Sequence, residues 1–91
     1  MKTHRLARKQ HIRQLYAIKR AILLDQMRKV ADAFMGEHWA FWQQHHIGQE
    51  DIERTLVYQA MDPVERENEL GRRLSWEDLH MIAREIYEKY A

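Results

Sequence analysis

Apolar positions along the chain recur three and four residues apart and do not alternate, which is the spacing of helices. Residues 3–35 hold no glycine or proline and are rich in helix-favouring residues, so they predict one long first helix. Gly36 is expected to end that helix, because glycine readily takes the left-handed conformation of a helix C-terminus. A second helix is predicted over residues 37–47, ending before Gly48.

The remainder of the chain predicts two or three more helices. One covers about residues 49–61, and Asp62-Pro63 then predicts the start of a short helix that ends at Gly71. The last helix has the strongest start signal, since Ser75 and Asp78 stand at capping-box spacing. Its apolar positions share one face: Trp76, Leu79, Ala83, Ile86 and Tyr90. The sequence therefore predicts a single all-α domain over residues 1–91, a small bundle of four to five helices with a long N-terminal helix.

The first helix is apolar over an unusually wide arc. One strip holds Ile12, Tyr16, Leu23, Met27, Val30 and Phe34. A second strip, about a quarter-turn away, holds Leu15, Ile18 and Ile22. A central helix touched from two sides has this pattern. Short following helices cover such an arc poorly, and a helix of this length exceeds one small bundle. We therefore expect self-association, as a symmetric homodimer, with a fully wrapped monomer as the alternative.

Charge is distributed very unevenly along the chain, although the formal net charge is only +1. Residues 1–30 contain nine basic residues against the single acid Asp25, and residues 31–91 contain six basic and thirteen acidic residues. Such asymmetry indicates either an anionic partner or a basic helix that packs on acidic helices of its own fold. In the first turns, cations occupy the face that is apolar further on. Because burying unpaired cations is costly, residues 1–13 are expected to project as a basic arm.

A projecting basic arm suggests two functions of nearly equal merit, beside the alternative that it is simply a solvated chain terminus. In the first, a small non-enzymatic regulatory or accessory protein contacts nucleic-acid backbone without reading sequence. In the alternative, an inhibitor or adaptor docks on an acidic protein surface. The candidate binding residues for either anionic partner are Lys2, Arg5, Arg8, Lys9, Arg13 and Arg20.

The segment 38–46, HWAFWQQHH, is dense in large side chains. Aromatic residues at helical spacing are explained first by core packing, and second by a protein interface, where tryptophan is enriched. The protein-binding alternative uses this patch together with the arm. Its interface candidates are Trp39, Trp42, His45 and His46.

Several classes of function find no support in the sequence. Cysteine is absent, which excludes disulfides and thiolate chemistry. None of the six histidines stands in a convergent metal-binding motif, and no catalytic motif is present, so we expect no metal, no cofactor and no enzymatic activity. No apolar run approaches the roughly 20 residues of a membrane span. No signal-peptide pattern follows the basic N-terminus, so we expect a cytoplasmic protein without membrane contact.

Overall fold

Three helices build the part of the chain that a computed structural model describes, namely residues 2–71 and 73–91, with side chains from residue 11 onward. Helix α1 covers Lys2–Gln44. Helix α2 is a continuous run over residues 49–66, made of α-helical Gln49–Thr55, π-helical Leu56–Met61 and α-helical Asp62–Arg66. Helix α3 covers Trp76–Tyr90. The molecule measures 64 × 22 × 17 Å. At 1.5 Å per residue, α1 alone accounts for the longest dimension.

The all-α prediction is confirmed, whereas the prediction of four to five helices is wrong. Gly36 does not end the first helix, so the two helices expected over residues 3–35 and 37–47 are one. A side chain at position 36 would meet α3, since an added Cβ would lie 3.2 Å from the Tyr90 hydroxyl. Glycine thus allows the end of α3 to approach α1 closely, and packing on either side of it offsets its weak helix propensity.

Helix α1 ends at a turn built around His46. This residue takes the left-handed conformation, with a φ of 53°. Its N–H donates to the Gln43 carbonyl at 3.2 Å, and the Ile47 N–H donates to the Trp42 carbonyl at 3.0 Å. These two bonds form the Schellman motif that normally has glycine at this position. The chain then reverses into α2.

The Asp62-Pro63 pair lies inside α2 and does not begin a new helix. The residues before it form the π-helical turn, in which the Asp62 N–H donates to the Val57 carbonyl five residues back. Proline supplies no N–H and its ring crowds the carbonyl four residues earlier. The wider π turn changes the backbone spacing at this point, and the helix continues to Arg66.

The three helices pack with α1 and α3 parallel and α2 running in the opposite direction. Ion pairs show that α1 and α3 run in the same direction, because Arg20 meets Asp78 whereas Asp32, further along α1, meets Lys89 further along α3. The core lies between the three helices. Its fully buried large apolar side chains are Leu23, Met27, Met35, Ile52, Leu56, Val57, Met61, Leu79 and Ile82.

The start of α3 is fixed by two sets of hydrogen bonds. The predicted capping box is present: the Asp78 N–H donates to Ser75 Oγ and the Ser75 N–H donates to Asp78 Oδ2. The preceding loop is tied to α2 by Glu65, which is only 1% exposed. The Glu65 carboxylate accepts from the Leu74 N–H at 2.9 Å and from Arg73 Nε at 2.9 Å. A buried carboxylate on α2 therefore positions the loop that leads into α3.

Candidate functional site

The cations of α1 fall into two groups that differ in their partners. Within the bundle, Arg20 pairs with Asp78 at 2.7 Å and Arg28 with Glu85 at 3.0 Å, both on α3. Lys29 pairs with Asp25 on α1 itself. For this part of the chain, the interpretation of a basic helix lying against acidic residues of its own fold is the one the geometry supports. Arg20, a candidate binding residue, is thus engaged within the fold.

The pairing of Arg20 with Asp78 affects the pKa of Asp78. Partial burial raises the pKa of Asp78, but hydrogen bonds from Ser75 and from the Arg20 guanidinium outweigh that effect. The net result is a pKa below the ordinary value for aspartate. Arg20 therefore contributes to holding the first turn of α3 against α1.

Toward its N-terminus, α1 extends past the end of the bundle. Every described side chain from residue 11 to residue 18 is exposed, and the first buried one is Leu23. Arg13 and Lys19 form no ion pair among the described side chains. The side chains of Lys2, Arg5, Arg8 and Lys9 lie outside the described residues, although their backbone belongs to α1. The arm predicted over residues 1–13 thus stays a prediction. We call residues 2–19 the projecting segment.

Apolar side chains on the N-terminal half of α1 are exposed, against the expectation of a helix covered from two sides. Ile12 and Tyr16 share the direction of the core face, but the bundle ends before it reaches them. Leu15, Ile18 and Ile22 point to the other side of α1 and are exposed as well. The bundle of a single chain covers α1 on one face, from about Leu23 onward.

The aromatic segment 38–46 divides between the core and the surface. Trp42 is 8% exposed and lies in the core, with its ring 5.2 Å from that of His38. Trp39 is half-buried, with its ring 5.8 Å from that of Tyr87 on α3. His45 and His46 are exposed, and His45 lies 4.2 Å from the exposed ring of Phe41. The surface available to a partner here is therefore smaller than the sequence suggested, and the interface role of these residues stays a prediction.

An acidic groove between α2 and α3 is a feature that the sequence analysis did not identify. It has a volume of about 620 Å³, and its lining includes Glu50, Glu53, Glu77, Glu85 and Glu88. Both helices turn glutamates to this side, and Arg54 and Arg84 line the groove with them and pair with Glu50 and Glu53. The sequence alone could not predict this groove, because predicting it requires knowing that α2 packs beside α3. The groove is open to solvent and lies on the bundle, away from the projecting segment.

Two further properties concern the described part of the chain as a whole. No helix in residues 2–71 and 73–91 is long and apolar enough to cross a membrane. No three histidine or carboxylate side chains come together to hold a metal ion among the residues whose side chains are described.

Comparison with known protein families, with curated proteins and with solved structures found no significant match to this chain.

Proposed function

We propose that this chain is a small, non-enzymatic, cytoplasmic binding protein whose projecting segment contacts nucleic-acid backbone without reading sequence. The observation that carries the proposal is the contrast between the two groups of cations on α1. Those beside the bundle have carboxylate partners in the fold, whereas Arg13 and Lys19 have none among the described side chains. Cations that the fold does not use are available to an anionic partner.

The charge density of the projecting segment suits a polyanion. Residues 1–19 contain six lysines and arginines and no acidic residue. On a helix, these six positions fall within an arc of about 140°. The segment is roughly 27 Å long at 1.5 Å per residue, which is enough to follow several phosphates along a duplex. Each phosphate contact would release condensed counterions and so favour binding.

The alternative, an adaptor that uses the arm together with the aromatic patch, is less favoured by the geometry. Arg13 and Phe41 are 28 positions apart on one straight helix, roughly 42 Å at 1.5 Å per residue. Trp39 and Trp42 are also taken up by packing within the fold. A partner would have to span most of the molecule to contact both regions. A polyanion needs only the projecting segment.

Binding to a random-sequence DNA duplex across a range of salt concentrations tests the proposal. If the six cations contact phosphates, the logarithm of the binding constant should fall linearly with the logarithm of salt, with a slope approaching about −5. Replacing Arg5, Lys9 and Arg13 with glutamine should make the slope shallower by about 3. Fluorescence anisotropy of a labelled duplex measures both quantities.

A charge-matched variant separates phosphate contacts from general attraction. Lys29, Arg54 and Arg84 lie exposed on the bundle, and their replacement with glutamine removes the same net charge. This control should leave the salt slope unchanged. Absence of duplex and single-strand binding at low salt would overturn the proposal. Equal binding to polyglutamate would also overturn it, in favour of an acidic protein partner.

A further inference from the structure

An apolar strip runs along the side of α1 that faces away from the bundle. Leu15, Ile18 and Ile22 are 43%, 56% and 41% exposed, and His11 extends the same line. Their spacing of four, three and four residues is that of the contact positions in a coiled coil. On the helix, the strip lies about 160° from the direction of the buried residues Met27 and Ala31. Neither α2 nor α3 of the same chain can therefore cover it.

We propose that this strip pairs with the same strip of a second copy, with the two α1 helices antiparallel. A symmetric pair needs a self-complementary surface, and a strip with contact positions at coiled-coil spacing provides one. In the favoured register, Leu15 lies opposite Ile18 of the second copy and Ile22 lies opposite its His11. The two copies then overlap along residues 2–31.

The length of the overlap meets the requirement of a stable dimer. Thirty residues of helix extend roughly 45 Å, and a helix pair of that length offers on the order of 800 Å² per partner, the size of a specific interface. The face of α1 that continues the strip stays open over this length, since Asp25, Gln26 and Lys29 are all exposed. The partner helix therefore meets no obstacle from the bundle.

Charge favours the antiparallel arrangement over the parallel one. A parallel pair would place the two projecting segments side by side, with six cations on each. An antiparallel pair separates most of their cations, since in this register the two segments lie side by side only along residues 14–19. It also brings Asp25, the one acidic residue of the first thirty, opposite residue 8 of the second copy, within its basic segment. A register shifted by one heptad would instead place the Asp25 carboxylate against Leu15, which costs desolvation and adds no cation to the Lys29 that Asp25 already pairs with.

Sedimentation equilibrium without nucleic acid tests the pairing. The chain should sediment with twice its mass of 11.1 kDa at concentrations of tens of micromolar. Ile18→Glu should produce a monomer, and Ile18→Ala should weaken the dimer by about tenfold, because both remove apolar contact at the centre of the strip. Val64→Glu is the matched control, since Val64 is also exposed but lies on α2. It should leave the dimer intact.

Orientation is tested with introduced cysteines, because the chain has none of its own. In the proposed register, a mixture of His11→Cys and Ile22→Cys chains should cross-link to each other on mild oxidation. Neither variant should cross-link alone, since its two copies lie roughly 16 Å apart along the axis, beyond the reach of a disulfide. Cross-linking of each variant with itself would show a parallel pair and overturn the proposal.

A mass of 11.1 kDa at every concentration would equally overturn it. So would an Ile18→Glu chain that stays dimeric with unchanged helicity by circular dichroism. The strip and the cationic arc lie on different sides of α1, so the pairing does not depend on nucleic-acid binding. Failure of one proposal leaves the other standing.

Discussion

The two halves of α1 carry the same kinds of side chain but differ in what surrounds them. In the half beside the bundle, Met27 is fully buried and Arg20 is paired with Asp78. In the projecting half, Ile12 is 49% exposed and Arg13 forms no ion pair among the described side chains. Hydrophobic and charged residues thus contribute to the fold in one half, and the described ones in the other half stay exposed to solvent.

This difference shows that the apolar face of a helix and the buried part of that face are separate properties. Spacing of apolar residues predicts that a segment is helical and which side is apolar. It does not predict how far along the helix a covering neighbour extends. Helix α3 begins at Trp76, beside Arg20, and that starting point decides where the core face of α1 becomes a free surface.

The largest expected effect is a loss of stability of the whole bundle. Glu65→Ala should lower the free energy of unfolding by about 3–5 kcal/mol, because it removes a buried carboxylate and leaves the Leu74 N–H and Arg73 without their acceptor. Urea unfolding followed by circular dichroism measures the loss. Glu67→Ala, at an exposed position two residues later, is the control and should change stability little. Equal effects would show that the loop does not depend on Glu65.

Two truncations on α1 test whether apolar side chains stabilise the fold beside the bundle but not in the projecting segment. Met27→Ala should cost about 2–5 kcal/mol, because it opens a cavity in the core. Ile12→Ala should cost less than about 0.5 kcal/mol, since half of its side chain is already in water. Both values come from chemical unfolding. A large loss from Ile12→Ala would mean that the projecting segment packs into the fold.

Acid sensitivity of the α1–α3 contact follows from Asp78. Its folded-state pKa lies below the ordinary value because hydrogen bonds from Ser75 and Arg20 outweigh partial burial. Its stabilising contribution is therefore complete above the ordinary pKa of about 3.9 and is lost as pH falls through the lower folded value. Asp78→Asn should destabilise by about 1–2 kcal/mol at neutral pH and by much less in strong acid. Asp25→Asn is the control and should change stability little at neutral pH, because Asp25 pairs only with the exposed Lys29 of its own helix. A pH-independent loss in Asp78→Asn would contradict the assignment.

A smaller effect is expected at two positions on α1 and its C-terminal turn, namely Gly36, where the sequence predicts a helix end, and His46, where the turn is found. His46→Gly should stabilise by about 0.5–1 kcal/mol, because glycine takes the left-handed conformation without strain. Gly36→Ala should gain a similar amount only when it is measured against Tyr90→Phe, which removes the hydroxyl 3.2 Å from the new Cβ and with it the hydrogen bond to the Asp32 carbonyl. Thermal unfolding of the single and double variants measures these gains. Stabilisation by Gly36→Ala alone, as large as in the double variant, would show that Tyr90 does not restrict this position.

These positions show how much of the fold the sequence could predict. The all-α class and the capping box of Ser75 and Asp78 follow from local chemistry, and the structure confirms both. The helix boundaries predicted from Gly36 and Asp62-Pro63 are absent, because tertiary packing and backbone geometry override even strong local signals. A close approach by Tyr90 and a π turn, respectively, override them. The true end of α1 falls on a histidine, where no propensity rule would place it.

The candidate site was predictable to a similar degree. The cationic excess of the first thirty residues is visible in the sequence, but which cations the fold consumes is not. The pairing of Arg20 and Arg28 depends on α3, more than fifty residues away in the chain. The burial of Trp42 likewise depends on how α1 packs against its neighbours.

The cations of α1 beside the bundle pair with carboxylates, whereas we expect those of the projecting segment to add nothing to the stability of the fold. Two variants with the same charge change test it by thermal unfolding: Arg20 and Arg28 to glutamine, and Lys9 and Arg13 to glutamine. The first pair should lower the free energy of unfolding by about 1 kcal/mol in total, a fall in Tm of about 4–8 °C. The second pair should leave Tm unchanged within about 1 °C. Equal falls in Tm, or a larger fall for Lys9 and Arg13, would show that the cations of the projecting segment also stabilise the fold.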